Sequence, residues 1–198
     1  VEDLSILICT HGDSYWEQLA QTRAYPSAVG QGVPVMCWHS PDGTLASSRN
    51  DAARAASSRW LCFLDADDEL DHGYVEAMRP HLSGDALLAP AVKYVDPSRA
   101  TDPPHFPNEP GDMTKINRCV IGTLIRRETF LEVGGFGEWP CYEDWDLFLG
   151  AHLSGRPIVY VADAVYLARV SRGGRNAPTR DVAVRTMAEI KRKHGLRR

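Results

Sequence analysis

No run of about eighteen consecutive apolar residues occurs in this 198-residue chain, so nothing in it reads as a membrane span. Basic charge is not in excess either: 22 Lys and Arg stand against 26 Asp and Glu, a formal charge of −4. Sequence-independent nucleic-acid binding draws on counterion release to a basic surface, so that function class is excluded. The five cysteines, Cys9, Cys37, Cys62, Cys119 and Cys141, form no C-x-x-C pair, which argues against a disulfide framework and a structural zinc site. Cys9, Cys37 and Cys62 fall inside apolar runs, where a free thiol behaves as a small buried hydrophobe, and that reading outweighs a catalytic thiol. They suggest a reducing compartment. The acidic start Val1-Glu2-Asp3 is unlike a secretory leader, and the expected location is the cytoplasm. Neither G-x-G-x-x-G nor G-x-x-x-x-G-K-S/T is present, so no Gly-rich loop is available to hold phosphates.

What is present fits one globular α/β domain. Hydrophobic residues make up 43% of the chain, and a domain of this length buries roughly 70% of its unfolded surface without needing a disulfide or metal. Short apolar runs predict strands at 4–10, 33–39, 60–64, 85–95, 120–126 and 157–170. Helical patterns predict helices at 15–24, 48–58, 71–82, 128–133, 142–153 and 179–194, with Ser14 and Glu17 as a capping box ahead of the first. Strands alternating with helices imply a mostly parallel sheet whose ligands sit beyond the carboxyl ends of the strands. The proline-bearing stretch 96–118 has no helical or strand period and reads as a lid, a binding loop or a disordered insert between 1–95 and 119–198.

The chemistry concentrates where strand 60–64 ends. Asp65, Asp67 and Asp68 follow it directly, and carboxylates this close repel one another unless a cation or solvent neutralises them. A hard divalent ion such as Mg²⁺ or Mn²⁺ often takes only one or two protein oxygens and completes its shell with phosphate oxygens. Asp67 is the direct ligand this position favours. Asp65, two residues back on the same side, reaches the metal through water or holds a ribose hydroxyl. Glu69 and Asp71 read as acids favouring the start of the next helix. A haloacid-dehalogenase-type phosphatase also carries D-x-D after a strand, but Glu69 stands where those enzymes have Thr or Val, and that reading is rejected.

Taken in order, five segments resemble the motifs of the family 2 glycosyltransferases with the GT-A fold. They are Ser5-Ile-Leu-Ile-Cys-Thr-His11, Ser48-Arg49-Asn50, Leu61-Cys-Phe-Leu-Asp-Ala-Asp-Asp68, Gly134-Gly-Phe-Gly-Glu138 and Glu143-Asp144. The resemblance implies a GT-A-type (Rossmann-like), mostly parallel sheet flanked by helices. It implies inverting, hexosyltransferase-type transfer from a nucleotide-diphosphate sugar, a UDP-sugar foremost, to an acceptor hydroxyl on a glycan, lipid-linked or protein acceptor. Asp67 would bind Mn²⁺ or Mg²⁺ on the diphosphate, and Asp65 the ribose or the metal shell. Thr10, His11 and Asp42 would line the nucleotide, and Arg49 would meet the diphosphate or the base edge. Asp144 would be the general base, with Glu143 orienting acceptor or base. A cation at the departing diphosphate stabilises charge that develops in the transition state, and one base suffices for inversion.

The chain also departs from the family pattern. Cys37-Trp38-His39-Ser40 stands where the family usually has an acidic pair, with Asp42 displaced into the next turn. In place of a late His come Arg169, Arg172 and Arg175 around Gly173-Gly174. This segment reads either as a lid whose guanidinium groups meet the diphosphate or as a solvated loop. Trp139 reads as a wall of the site and Trp145 as core. The basic end Lys191-Arg-Lys-His-Gly-Leu-Arg-Arg198 reads as a solvated helix terminus ahead of a membrane contact. Two alternatives stay open: a nucleotide-sugar-binding module without turnover, and a nucleotidyltransferase on a similar sheet.

Overall fold

The computed structural model describes residues 3–96, 102–106, 112–169 and 178–196. Three apolar runs become parallel strands: β1 (Leu4–His11), β2 (Val35–Ser40) and β3 (Trp60–Leu64). Their sheet has the order β2-β1-β3-β6, with the short β6 (Ile125–Arg126) antiparallel to β3. A second sheet, β4-β7-β5, is built from β4 (Glu69–Leu70), β7 (Ile158–Ala168) and β5 (Leu87–Tyr94). Leu88 and Leu124 exchange backbone hydrogen bonds of 3.1 and 2.9 Å, which join the second sheet to the residue before β6. β5 and β7 run parallel with a register break at Pro90, whose ring nitrogen has no hydrogen to give the ladder.

β1 and β3 are buried along nearly their whole length, as the inner strands of a parallel sheet must be. β2 lies at the edge and stays partly open, so Cys37 is exposed, correcting its expected burial. The other four thiols are buried, and loss of water pushes Cys9, Cys62 and Cys119 up to about 12. None of these three is a ready nucleophile at neutral pH.

Helix starts differ from the sequence pattern in ways that have local causes. α1 (Ser14–Thr22) is capped by Asp13, whose carboxylate accepts from Tyr15 N–H at 2.7 Å, in place of the expected Ser14 and Glu17 box. Pro26 lies inside a second helix, α2 (Ala24–Val29), in the first turn, where a missing N–H costs no helical hydrogen bond. α3 (Leu45–Ala55) begins three residues before its expected start, behind a capping box of Thr44 and Ser47. Asp71 does not cap the next helix; α4 (Tyr74–Met78) follows Gly73 and runs into a 3₁₀ turn, Arg79–His81. The strand expected at 120–126 shrinks to β6, because Val120 and Thr123 close a turn. α5 (Arg127–Glu132), α6 (Glu143–Leu153) and α7 (Arg180–Lys193) stand where the pattern put them.

The core behind the site is aromatic. Phe63 meets Phe136 edge-on at 5.0 Å and Phe130 at 5.4 Å. Trp145 is buried as expected, its indole N–H donating to Met113 O at 2.8 Å. No helix among the described residues is long and apolar enough to cross a membrane.

Candidate active site

The carboxyl ends of β1, β2 and β3 share one edge of the sheet, and α3 is fastened across it. Ser48 Oγ donates toward Thr10 O at 2.9 Å and Trp38 O at 3.2 Å, which seats the helix on the exits of β1 and β2. Alanines at 46, 52, 53 and 56 let it lie close. Thr10 Oγ1 and His39 Nδ1 are 2.9 Å apart and share a hydrogen bond, and His11 pairs with Ser40 at the strand ends. Asp42 is exposed in the turn that follows.

Arg49 projects inward from α3 and is only 2% exposed. Its Nη2 donates to Asp65 Oδ1 at 2.5 Å and its Nη1 to Glu143 Oε1 at 3.1 Å. The guanidinium also lies 4.7 Å from the centre of the Phe136 ring. The two flanking carboxylates hold it fully charged despite burial. The resemblance puts Arg49 against diphosphate or base; in the structure its guanidinium pairs with Asp65 and Glu143.

The next residue, Asn50, explains the G-G-F turn. Its Nδ2 donates to Phe136 O and its Oδ1 accepts from Phe136 N–H, both at 2.9 Å. Gly135 has φ +72°, and a Cβ there would collide with Asn50 Oδ1, so only glycine fits. Glu138 closes the same turn onto the start of α3, accepting from Thr44 Oγ1 at 2.6 Å.

That turn delivers the chain to α6. Tyr142, immediately before it, is the one non-glycine with positive φ among the described residues, at +64°. A bulky residue held in that conformation is strained, and such strain gathers where geometry is functional. Glu143 and Asp144 then occupy the first turn of α6. Asp144 Oδ2 accepts from Asn117 Nδ2 at 2.9 Å and Oδ1 from Trp145 N–H at 2.7 Å. Loss of water and the neighbouring Glu143 push its carboxyl up to about 7, against the opposing pull of Arg49 and the two hydrogen bonds. Asn117 was not singled out from sequence; it sits in an aperiodic stretch, and only folding brings it to Asp144.

Beyond Asp65 the acidic run splits by role. Asp68 is buried, accepting from Tyr166 Oη at 2.8 Å and Arg169 N–H at 2.7 Å, and desolvation with Asp65 nearby pushes it upward. Glu69 pairs with Arg169 at 3.1 Å. Asp67 remains half-buried and is also pushed upward, first by desolvation and then by Asp65. It lines an open cleft of about 240 Å³ with Tyr15, Trp16, Arg23 and Arg169. Arg169 Nε, buried, has no hydrogen-bond partner among the described residues. Arg172 and Arg175 lie outside the described residues.

Among the described residues, no three carboxylate, imidazole or thiol groups converge into an all-protein metal site. The chemistry of Asp67 nevertheless suits a hard cation sharing its shell with phosphate oxygens. An oxygen donor disfavoured by burial and a like charge is relieved by a cation, whereas Asp65 is already engaged by Arg49.

Trp139, expected as a wall, is partly exposed and donates its indole N–H to Asp146 Oδ2 at 2.7 Å. Asp146 is fully buried and also accepts from Lys193 Nζ at 2.6 Å and His194 Nε2 at 2.8 Å. At Lys193 and His194 the basic end of α7 is therefore anchored on α6, where a solvated terminus was expected.

Comparison with known proteins agrees with this architecture. The family model described as glycosyl transferase family 2 matches residues 13–130, more than half of the chain. A crystal structure of S. aureus TarS 1–349 in complex with UDP-GlcNAc superposes with a TM-score of 0.67 at 15% identity, over 95% of this chain and 66% of that one. The same fragment in complex with UDP gives 0.63 at 18% identity, over 85% and 61%. This chain thus spans less than two thirds of either, and at such identity the likeness speaks for the fold. No curated protein matches the sequence.

Proposed function

The chain belongs to glycosyl transferase family 2, and from that premise we propose that it transfers a sugar from a UDP-sugar to an acceptor hydroxyl with inversion. The observation that carries this reading is the Arg49 guanidinium. By pairing with Asp65 on one side and Glu143 on the other, it sets the D-x-D strand end and the start of α6 against each other. Neighbours in complex with UDP and UDP-GlcNAc support the choice of donor.

In this reading the acceptor hydroxyl gives its proton to Asp144 as its oxygen bonds to the anomeric carbon from one face, and the bond to the diphosphate oxygen breaks on the other. General-base help of this kind is worth about 10²–10⁴ in rate. Asp67 holds the divalent cation, Mn²⁺ or Mg²⁺, which when bound supplies positive charge for the departing diphosphate. Arg169 lines the same cleft as Asp67. Glu143 stays bound to Arg49 and orients Asp144 beside it, while Thr10, His11 and Asp42 line the nucleotide at the strand ends.

Asp144→Asn tests the reading. With a hydroxyl acceptor and UDP-GlcNAc, transfer falls at least a hundredfold while binding of UDP with Mn²⁺ is unchanged. Undiminished transfer by the variant removes Asp144 from the role of base.

A further inference from the structure

The segment leading from Asp112 to Cys119 is tied to α6 at two points, and both flank the start of the helix. Trp145 Nε1 donates to Met113 O at 2.8 Å, and Asn117 Nδ2 donates to Asp144 Oδ2 at 2.9 Å. The Asn117 amide is fixed from its other end as well, since Oδ1 accepts from Cys119 N–H at 3.1 Å. That second bond sets which end of the amide faces Asp144: a flipped amide would turn oxygen toward the carboxylate and lose both bonds.

We propose that Asn117 is a positioning residue for Asp144, holding one carboxylate oxygen by its amide N–H while the group takes a proton from the acceptor. The inference rests on the reading of Asp144 as the base. Among the described residues, the charged and titratable groups facing Asp144 are Glu143 beside it on α6, the Arg49 guanidinium from α3 and the Cys119 thiol. Glu143 and burial disfavour the charged carboxylate; Arg49, Trp145 N–H and Asn117 favour it. Cys119 is neutral at physiological pH because burial pushes it up to about 12. Among the groups that favour the charge, Asn117 alone can be changed without removing a backbone group or the guanidinium that also holds Asp65.

A hydrogen bond donated to the charged form lowers a carboxyl's pKa, so removing it moves Asp144 upward by about half to one pH unit. Two variants separate this effect from folding. Asn117→Ala removes both bonds. Asn117→Ser keeps a short acceptor for Cys119 N–H but has no reach to Asp144.

The experiment is a carboxyl-detected NMR titration of the whole protein labelled with ¹³C-aspartate, with the Asp144 resonance assigned by its loss in Asp144→Asn. The expected result is an upward move of the Asp144 midpoint by half to one unit in both Asn117 variants. An unchanged midpoint in either variant, at a wild-type unfolding temperature, overturns the inference. Failure of the underlying reading looks different: Asp144→Asn then keeps full transfer activity, whatever the titration shows.

Discussion

The carboxylates of Asp65 and Glu143 are held by one buried cation, the Arg49 guanidinium, 2.5 Å from the first and 3.1 Å from the second. A charge so placed depends on both partners, because an unpaired ion in a dry interior keeps its desolvation cost without the compensating attraction. Arg49→Ala leaves two carboxylates facing each other, and we expect it to cost about 3–5 kcal/mol of stability, read from the denaturant midpoint. Arg49→Lys retains the charge but cannot reach both acceptors in one plane, so it falls between wild type and alanine.

Asp67 should behave oppositely. Its carboxyl is pushed above the ordinary range by burial and by Asp65, so at neutral pH its ionised form is less favoured in the folded state than in the unfolded one. Asp67→Asn is expected to match or exceed wild type in unfolding temperature, measured by calorimetric scanning without metal. A marked drop would mean that Asp67 supports the fold rather than a ligand.

For Asp144, raised to about 7, the sign follows from its role. A base works only when deprotonated, so the rate rises about tenfold per pH unit below 7 and levels off above it. The pH dependence of kcat/KM, which reports the groups of the free enzyme, should show that ascending limb. A profile already flat from pH 5 upward contradicts the assignment.

Asp146 ties the Trp139 turn and the end of α7, at Lys193 and His194, to α6. Asp146→Ala leaves these donors unsatisfied, one of them a lysine, and is expected to cost about 3–5 kcal/mol, read from equilibrium unfolding. Lys193→Ala, at a side chain 44% exposed, is expected to cost no more than about 1 kcal/mol.

Much of this arrangement was visible in the chain before folding. The inner strands β1 and β3 are continuous apolar runs, and their polar exits mark the ligand edge because parallel strands place their carboxyl ends together. Asp65, Asp67, Glu143 and Asp144 were singled out for that reason and by resemblance. Asn117 was not, since its partner lies 27 positions away across a stretch with no period. The pairing of Arg49 was not legible for a related reason: nothing local to α3 shows that two distant carboxylates converge on it. Nothing in the sequence set Asp146 apart from the other acids of α6, whose inward face it occupies. Cys37 shows the limit of an apolar run, which marks a strand without telling whether it lies inside the sheet or at its edge.

The most direct measurement is calorimetric titration of the protein with UDP, in Mn²⁺ and again with a chelator, for wild type and Asp67→Ala. Metal-dependent binding of UDP that is lost in Asp67→Ala is the expected result. Folded wild-type protein that binds no UDP in Mn²⁺, or an Asp67→Ala variant that binds it as well as wild type, contradicts a donor site built on Asp67.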